Sequence, residues 1–145
     1  MNLAEEINVW TNQVADFWKA KGINLGEGVS LDTIYKTEQY LSTTFPQSFT
    51  ELYKKVDGFR EMDWNEHMFC VWPLERIIEE YDYNRHPSFI GFCDFLINSH
   101  WIGFVRGESG IYKRYDLEGH AEPEKIADRF EEVIDMINSN ADILY

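Results

Sequence analysis

The chain has 145 residues, 44% of them hydrophobic and 16% aromatic, with 26 acidic side chains against 13 basic ones and a formal net charge of −13. That length and apolar content predict one folded domain over residues 1–145 and exclude a disordered chain. The acidic balance repels phosphate backbones, so no nucleic-acid partner is expected, and it suits a basic protein partner.

In chain order, residues 3–21 read as an amphipathic helix, with Leu3, Ile7, Trp10, Val14, Phe17 and Trp18 at three- and four-residue steps. Asn2 is its expected cap, and Gly22 its left-handed stop. Leu25–Val29 reads as a glycine-punctuated connection without a phosphate-loop pattern. Ser30 caps a helix of about a dozen residues carrying Leu31, Ile34, Tyr35, Glu38 and Leu41. Phe45-Pro46 opens a third helix with Phe49, Leu52, Tyr53 and Val56 as its buried stripe, and Asp57-Gly58 ends it. Residues 60–67 are polar with one tryptophan and predict a loop. Met68–Trp72 reads as a strand ended by Pro73, Leu74–Tyr81 as a helix, and Asp82–Pro87 as a polar connection.

The stretch Ser88–Asp116 predicts three antiparallel strands, at Phe89–Phe95, roughly Ile97–Val105, and Ile111–Tyr115, with a loop over 106–110. Leu117–Glu122 reads as a loop. Pro123 then starts a last helix whose inner face holds Ile126, Phe130, Val133, Ile134 and Ile137, and residues 141–145 add a turn. The expected fold is α+β: an antiparallel sheet of about four to six strands, covered on one side by N-terminal helices and a C-terminal helix.

Candidate chemistry is sparse. His67, His86, His100 and His120 include no pair at helical metal-binding spacing, and His67 with Cys70 lacks the second half of a zinc pattern. There is no GxSxG elbow. Cys70 and Cys93 lie in apolar runs that favour inert, reduced thiols, although spacing alone leaves a bridge between them open. No enzyme activity, metal or cofactor is therefore expected. No apolar run follows a basic segment near the start, and no stretch reaches the ~20 apolar residues of a membrane span. A cytoplasmic setting without a membrane partner is the expectation.

The acids are clustered. Residues 61–82 hold seven acids against Arg76, and residues 116–142 hold nine against Lys125 and Arg129. Trp64, His67, Tyr81 and Tyr83 interleave with the first cluster. Asp63, Trp64, Glu66, His67, Glu79, Tyr81, Asp82 and Tyr83 are therefore the candidate partner-binding residues: acids to steer a basic protein and aromatics to anchor it. A solvated helix face plus core aromatics is the plainer account of the same pattern.

Three stretches in order resemble the SUKH superfamily of Smi/Knr-type proteins over about residues 30–137. They are Phe45-Pro46 through Asp57-Gly58, then Phe89-Ile90-Gly91-Phe92-Cys93-Asp94, then Ile126-Ala127-Asp128-Arg129-Phe130-Glu131-Glu132-Val133. Val133 stands where a Phe or Leu is usual, and Asp57 where Asn is commoner. The resemblance implies one α+β domain without enzyme activity. It implies either an immunity protein that neutralises a cognate bacterial toxin, often a nuclease, or a regulatory scaffold linked to cell-wall glucan synthesis. It carries over no binding residues.

Overall fold

The computed structural model describes residues 2–84, 86–115 and 122–145. Helix α1 covers Leu3–Ala20, and the capping box that starts it is made by Asn2 and Glu5. Strand β1, Leu25–Glu27, stands where the sequence reads as a connection. Helix α2, Leu31–Leu41, has Ser30 as its cap. Helix α3, Gln47–Tyr53, is shorter than expected, because the chain leaves it for strand β2, Val56–Phe59, which pairs antiparallel with β1. Val56 is buried from a strand, not from the helix stripe.

Strand β3 is Phe69–Val71. Helix α4, Leu74–Asn84, runs a turn beyond Tyr81, so Asp82 and Tyr83 are helical. Strands β4 (Phe89–Phe95), β5 (His100–Val105) and β6 (Ile111–Tyr115) follow. Ile97 belongs to the β4–β5 turn, not to β5. The expected helix start at Pro123 is replaced by strand β7, Glu124–Ala127, and helix α5 begins only at Phe130 and ends at Ser139. Pairing with β6 explains the switch: Ile126 has a sheet to bury against before the helix stripe begins. A short 3-10 turn, Asp142–Leu144, ends the described chain with Leu144 buried. The loop read over 117–122, and His120 within it, lie outside the described residues apart from Glu122.

The main sheet is antiparallel in the order β3-β4-β5-β6-β7. Helices cover both of its faces, where one was expected. Phe104 meets Phe45, Phe49 and Phe130, so it faces α3 and α5. Side chains alternate along a strand, which turns Trp101 to the opposite face. Cys70, Asp94, Trp101 and Arg114 are directly paired across β3 to β6 and share that opposite face. There α4 packs, through Arg76, whose Nη2 lies 3.5 Å from Asp94. A bulge at Phe92 keeps both Phe92 and Cys93 on the α5 side. The Cys70 and Cys93 thiols are free and on opposite faces of the sheet, so the bridge left open by spacing does not form.

Candidate partner-binding surface

The eight candidate residues fall into two groups held by different elements. The first is the loop between β2 and β3. It opens with a 3-10 turn at Arg60–Met62, in which Glu61 and Met62 have positive φ. Asp63 accepts the Asn24 backbone N–H through Oδ2 at 2.8 Å and the Trp64 N–H through Oδ1 at 2.9 Å. Glu66 pairs with Lys21 at 3.2 Å and stands 3.7 Å from the half-buried His67 ring. The loop is therefore tied to the end of α1 and the start of β1. Trp64 is 39% exposed.

Asn65, which sequence reasoning missed, shapes this loop. It is buried, and its Oδ1 accepts the N–H groups of His67 and Phe69, both at 3.0 Å. Its Nδ2 donates to the Ile137 carbonyl of α5 at 3.1 Å. A short polar side chain that mimics a backbone turn is a legible signal, but one of low specificity.

The second group lies at the end of α4. Glu79 is exposed, and Tyr83 is 84% exposed. Asp82 accepts a hydrogen bond from Tyr40 of α2 at 2.7 Å, a bond that holds the Tyr40 phenol above its ordinary pKa. Tyr81 is half-buried, and its hydroxyl accepts from Arg106 Nη2 at 2.8 Å. Arg106, unremarked in the sequence, also donates from Nε to the carbonyls of Leu41 and Ser42 at 3.1 Å. A cation on the last carbonyls of α2 satisfies groups that no helical N–H can reach. Tyr81 is thus committed to this clasp. Tyr83 is the free aromatic of the second group.

Between the two groups lies a socket for Trp72, built by two of the three family-like stretches. Gly91 faces the indole, and a Cβ there would stand 3.1 Å from Trp72 Cζ3. Three residues on, Asp94 accepts the indole N–H at 2.7 Å. From the first stretch, Tyr53 donates its hydroxyl to the Trp72 carbonyl at 2.6 Å, and Asp57 accepts the first N–H of α4, on Leu74, at 2.9 Å. Gly58 has φ +61, and a Cβ on it would overlap the Trp72–Pro73 backbone. The Asp57-Gly58 pair of the first stretch and Gly91 and Asp94 of the second are thus packing and capping residues of one joint.

Both cysteines of the sheet are held as neutral thiols. Burial pushes the Cys70 thiol up to about 12 and the Cys93 thiol well above its ordinary value. A neutral thiol is neither nucleophile nor metal ligand. Among the described residues, no group of three His, Cys, Asp or Glu side chains is placed to hold a metal ion.

The β4–β5 turn is unusual. Leu96, Ile97 and Asn98 have φ of 47°, 52° and 64°, and the Ser99 N–H donates to the Phe95 carbonyl at 2.9 Å, closing one left-handed turn. Side chains with a Cβ pay roughly 1–2 kcal/mol per residue in that conformation, and a β-branched residue is least suited to it. The surroundings enforce the turn. Asp94 Oδ2 accepts the Asn98 N–H at 2.6 Å, Trp101 Nε1 donates to Asn98 Oδ1 at 2.9 Å, and Leu96 donates its N–H to Met68 O at 2.9 Å. Met68 also has positive φ, at 69°. The result is an apolar tip. Ile97 is 65% exposed, Leu96 45% and Met68 44%.

No helix among the described residues is long and apolar enough to cross a membrane. Comparison with curated proteins finds no match. The family model described as the SMI1 / KNR4 family (SUKH-1) matches residues 28–136, from the residues just before α2 into α5, and includes both glycine–aspartate elements of the Trp72 joint. On that match over most of its length, the chain belongs to the SMI1 / KNR4 (SUKH-1) family, a family of protein-interaction modules.

Proposed function

We propose that residues 1–145 act as one non-enzymatic binding domain, without metal or cofactor, that neutralises a bacterial toxin by covering a basic surface of it. The observation that carries this reading is the pairing of a net charge of −13 with exposed acids and aromatics on anchored elements. A nuclease toxin must present positive charge to its own phosphate substrate, and a cytoplasmic acidic protein competes for that surface. Asp63, Glu66, Glu79 and Asp82 act as the steering rim, with Trp64, His67 and Tyr83 as the aromatic complement and Tyr81, held by Arg106, as a supporting ring. Trp64 and Tyr83 supply most of the accessible ring area.

The test is affinity capture with the full chain from its source cell, followed by association and dissociation kinetics with the identified partner. One dominant toxin-domain partner, encoded beside this gene, is the expected result. Several endogenous partners of comparable strength, with cell-wall synthesis components among them, would instead select the regulatory-scaffold reading. Absence of any partner above the bead control would overturn the binding role itself.

A further inference from the structure

The turn between β4 and β5 spends conformational energy to expose apolar surface. Leu96, Ile97 and Asn98 are all left-handed, none is glycine, and Ile97 is β-branched. A strand connection of this length needs neither feature, since Gly at these positions removes the steric conflict and Asn, as at position 98, eases it. Met68 is tied to Leu96 backbone to backbone and is left-handed as well. Beside them the Tyr145 ring packs edge-on to Phe95 at 5.1 Å and against Phe69 at 5.8 Å, with part of its surface exposed. The exposed side chains of Met68, Leu96, Ile97 and Tyr145 thus gather at one end of the sheet. Backbone strain held in place by surrounding contacts, with large apolar groups left in water, points to a surface used elsewhere than in folding.

Charge selects the occupant. Glu66 precedes Met68 by two residues in the same loop and is exposed, with Lys21 as its ion-pair partner at 3.2 Å, and Asp142, three residues before Tyr145, is exposed as well. A second copy of the chain would bring two bodies of −13 together around such a rim, which mutual repulsion opposes. A basic protein with an apolar socket meets both features. We infer that the hairpin tip formed by Met68, Leu96 and Ile97 is the apolar anchor through which this chain docks its basic protein partner. The inference rests on the binding role proposed above and adds to it the residues that slow dissociation. Acids of the 61–67 loop serve as rim.

The decisive variant is Ile97→Asn in the full chain. Asn accepts the left-handed conformation and removes the apolar group, so the folded protein should melt at or above the wild-type temperature. Capture from the source cell is then run with wild type, Ile97→Asn and the control Tyr35→Ser on α2, and retained proteins are identified by mass spectrometry. The expected result is a basic protein held by wild type and by Tyr35→Ser and weakened tenfold or more by Ile97→Asn, through faster dissociation, with little dependence on salt. Equal retention by Ile97→Asn overturns the inference and leaves the binding role standing. Loss of a neutral or acidic protein overturns it as well. A wild-type dimer by light scattering that Ile97→Asn dissociates would make the tip a self-interface. No specific capture by wild type would remove the binding role, and the anchor with it.

Discussion

At the scale of single residues, the interior is decided by a few side chains that several elements share. Phe130 is buried at the start of α5, and its ring meets Phe49 and Phe92 at 5.2 Å and Phe104 and Trp10 at 6.2 Å. Truncation leaves a cavity bordered by α1, α3, β4 and β5, so Phe130→Ala should destabilise the fold by about 3–5 kcal/mol in a denaturant titration. Asp94 is the polar counterpart. It accepts from Trp72 Nε1 and from the Asn98 N–H and faces the Arg76 guanidinium, all in a buried place. Asp94→Ala strands the indole N–H and leaves Arg76 with Glu80, at 3.7 Å, as its carboxylate partner among the described residues, and should cost about 3–5 kcal/mol, more than Asp94→Asn, which keeps a hydrogen-bond acceptor for the indole. On the surface, Trp64→Ala should speed dissociation of the partner at a cost of about 2 kcal/mol or more if the ring is buried in the complex. Asp63→Lys with Glu66→Lys should slow association, by an amount that shrinks as salt is raised.

At the scale of elements, the C-terminal turn is a clasp with a pH dependence. The carbonyl of Leu144 accepts from His100 Nε2 at 2.8 Å, and Lys113 Nζ donates to the carbonyls of Ile143 and Tyr145 at 3.1 and 2.7 Å. Burial, with Lys113 nearby, holds His100 below the ordinary histidine pKa, and its bond to Leu144 only partly offsets this. Burial, with Arg114 nearby, lowers His86 as well. A histidine whose folded pKa lies below its unfolded value stabilises the fold fully above about pH 6.5, and that contribution fades as pH falls toward the folded value. The melting temperature should therefore drop on acidification below about pH 6.5, and His100→Gln should flatten the slope. An equal slope in the variant would place the proton uptake elsewhere.

The elements also show where pattern reading stops. The helical spacing of residues 126–137 is real for Phe130 onward, yet Ile126 sits at the same spacing and is in β7. A strand and a helix in tandem can share one periodicity, and only the free edge of β6 separates them. In the same way, Val56 continues the spacing of α3 but pairs with β1. The αL position at Gly58, where a Cβ would also meet the Trp72–Pro73 backbone, marks where the chain has already left the helix.

At the scale of the molecule, one apolar cluster runs from α1 through both sheets to Leu144, so unfolding should be a single cooperative transition. The thiols lie on opposite faces of the sheet, and adding a reducing agent should leave the midpoint unchanged. A large shift would mean that the two strands carry a different register.

What the sequence determined by itself was whatever depends on neighbours in the chain. The caps at Asn2 and Ser30, the β-rich run of 89–115, the apolar stripes, the acid excess and the order of the three family-like stretches are all local, and they sufficed for an α+β fold and for the family. Tertiary structure alone decided what depends on distant partners. It put α4 on the second face of the sheet, made Gly91 and Asp94 a socket for a tryptophan some twenty residues earlier, and separated the candidate residues between two anchors. It also brought Met68 beside Leu96. Such juxtapositions arise from strand pairing and packing between segments far apart in the chain, and no window along the sequence contains both halves of them.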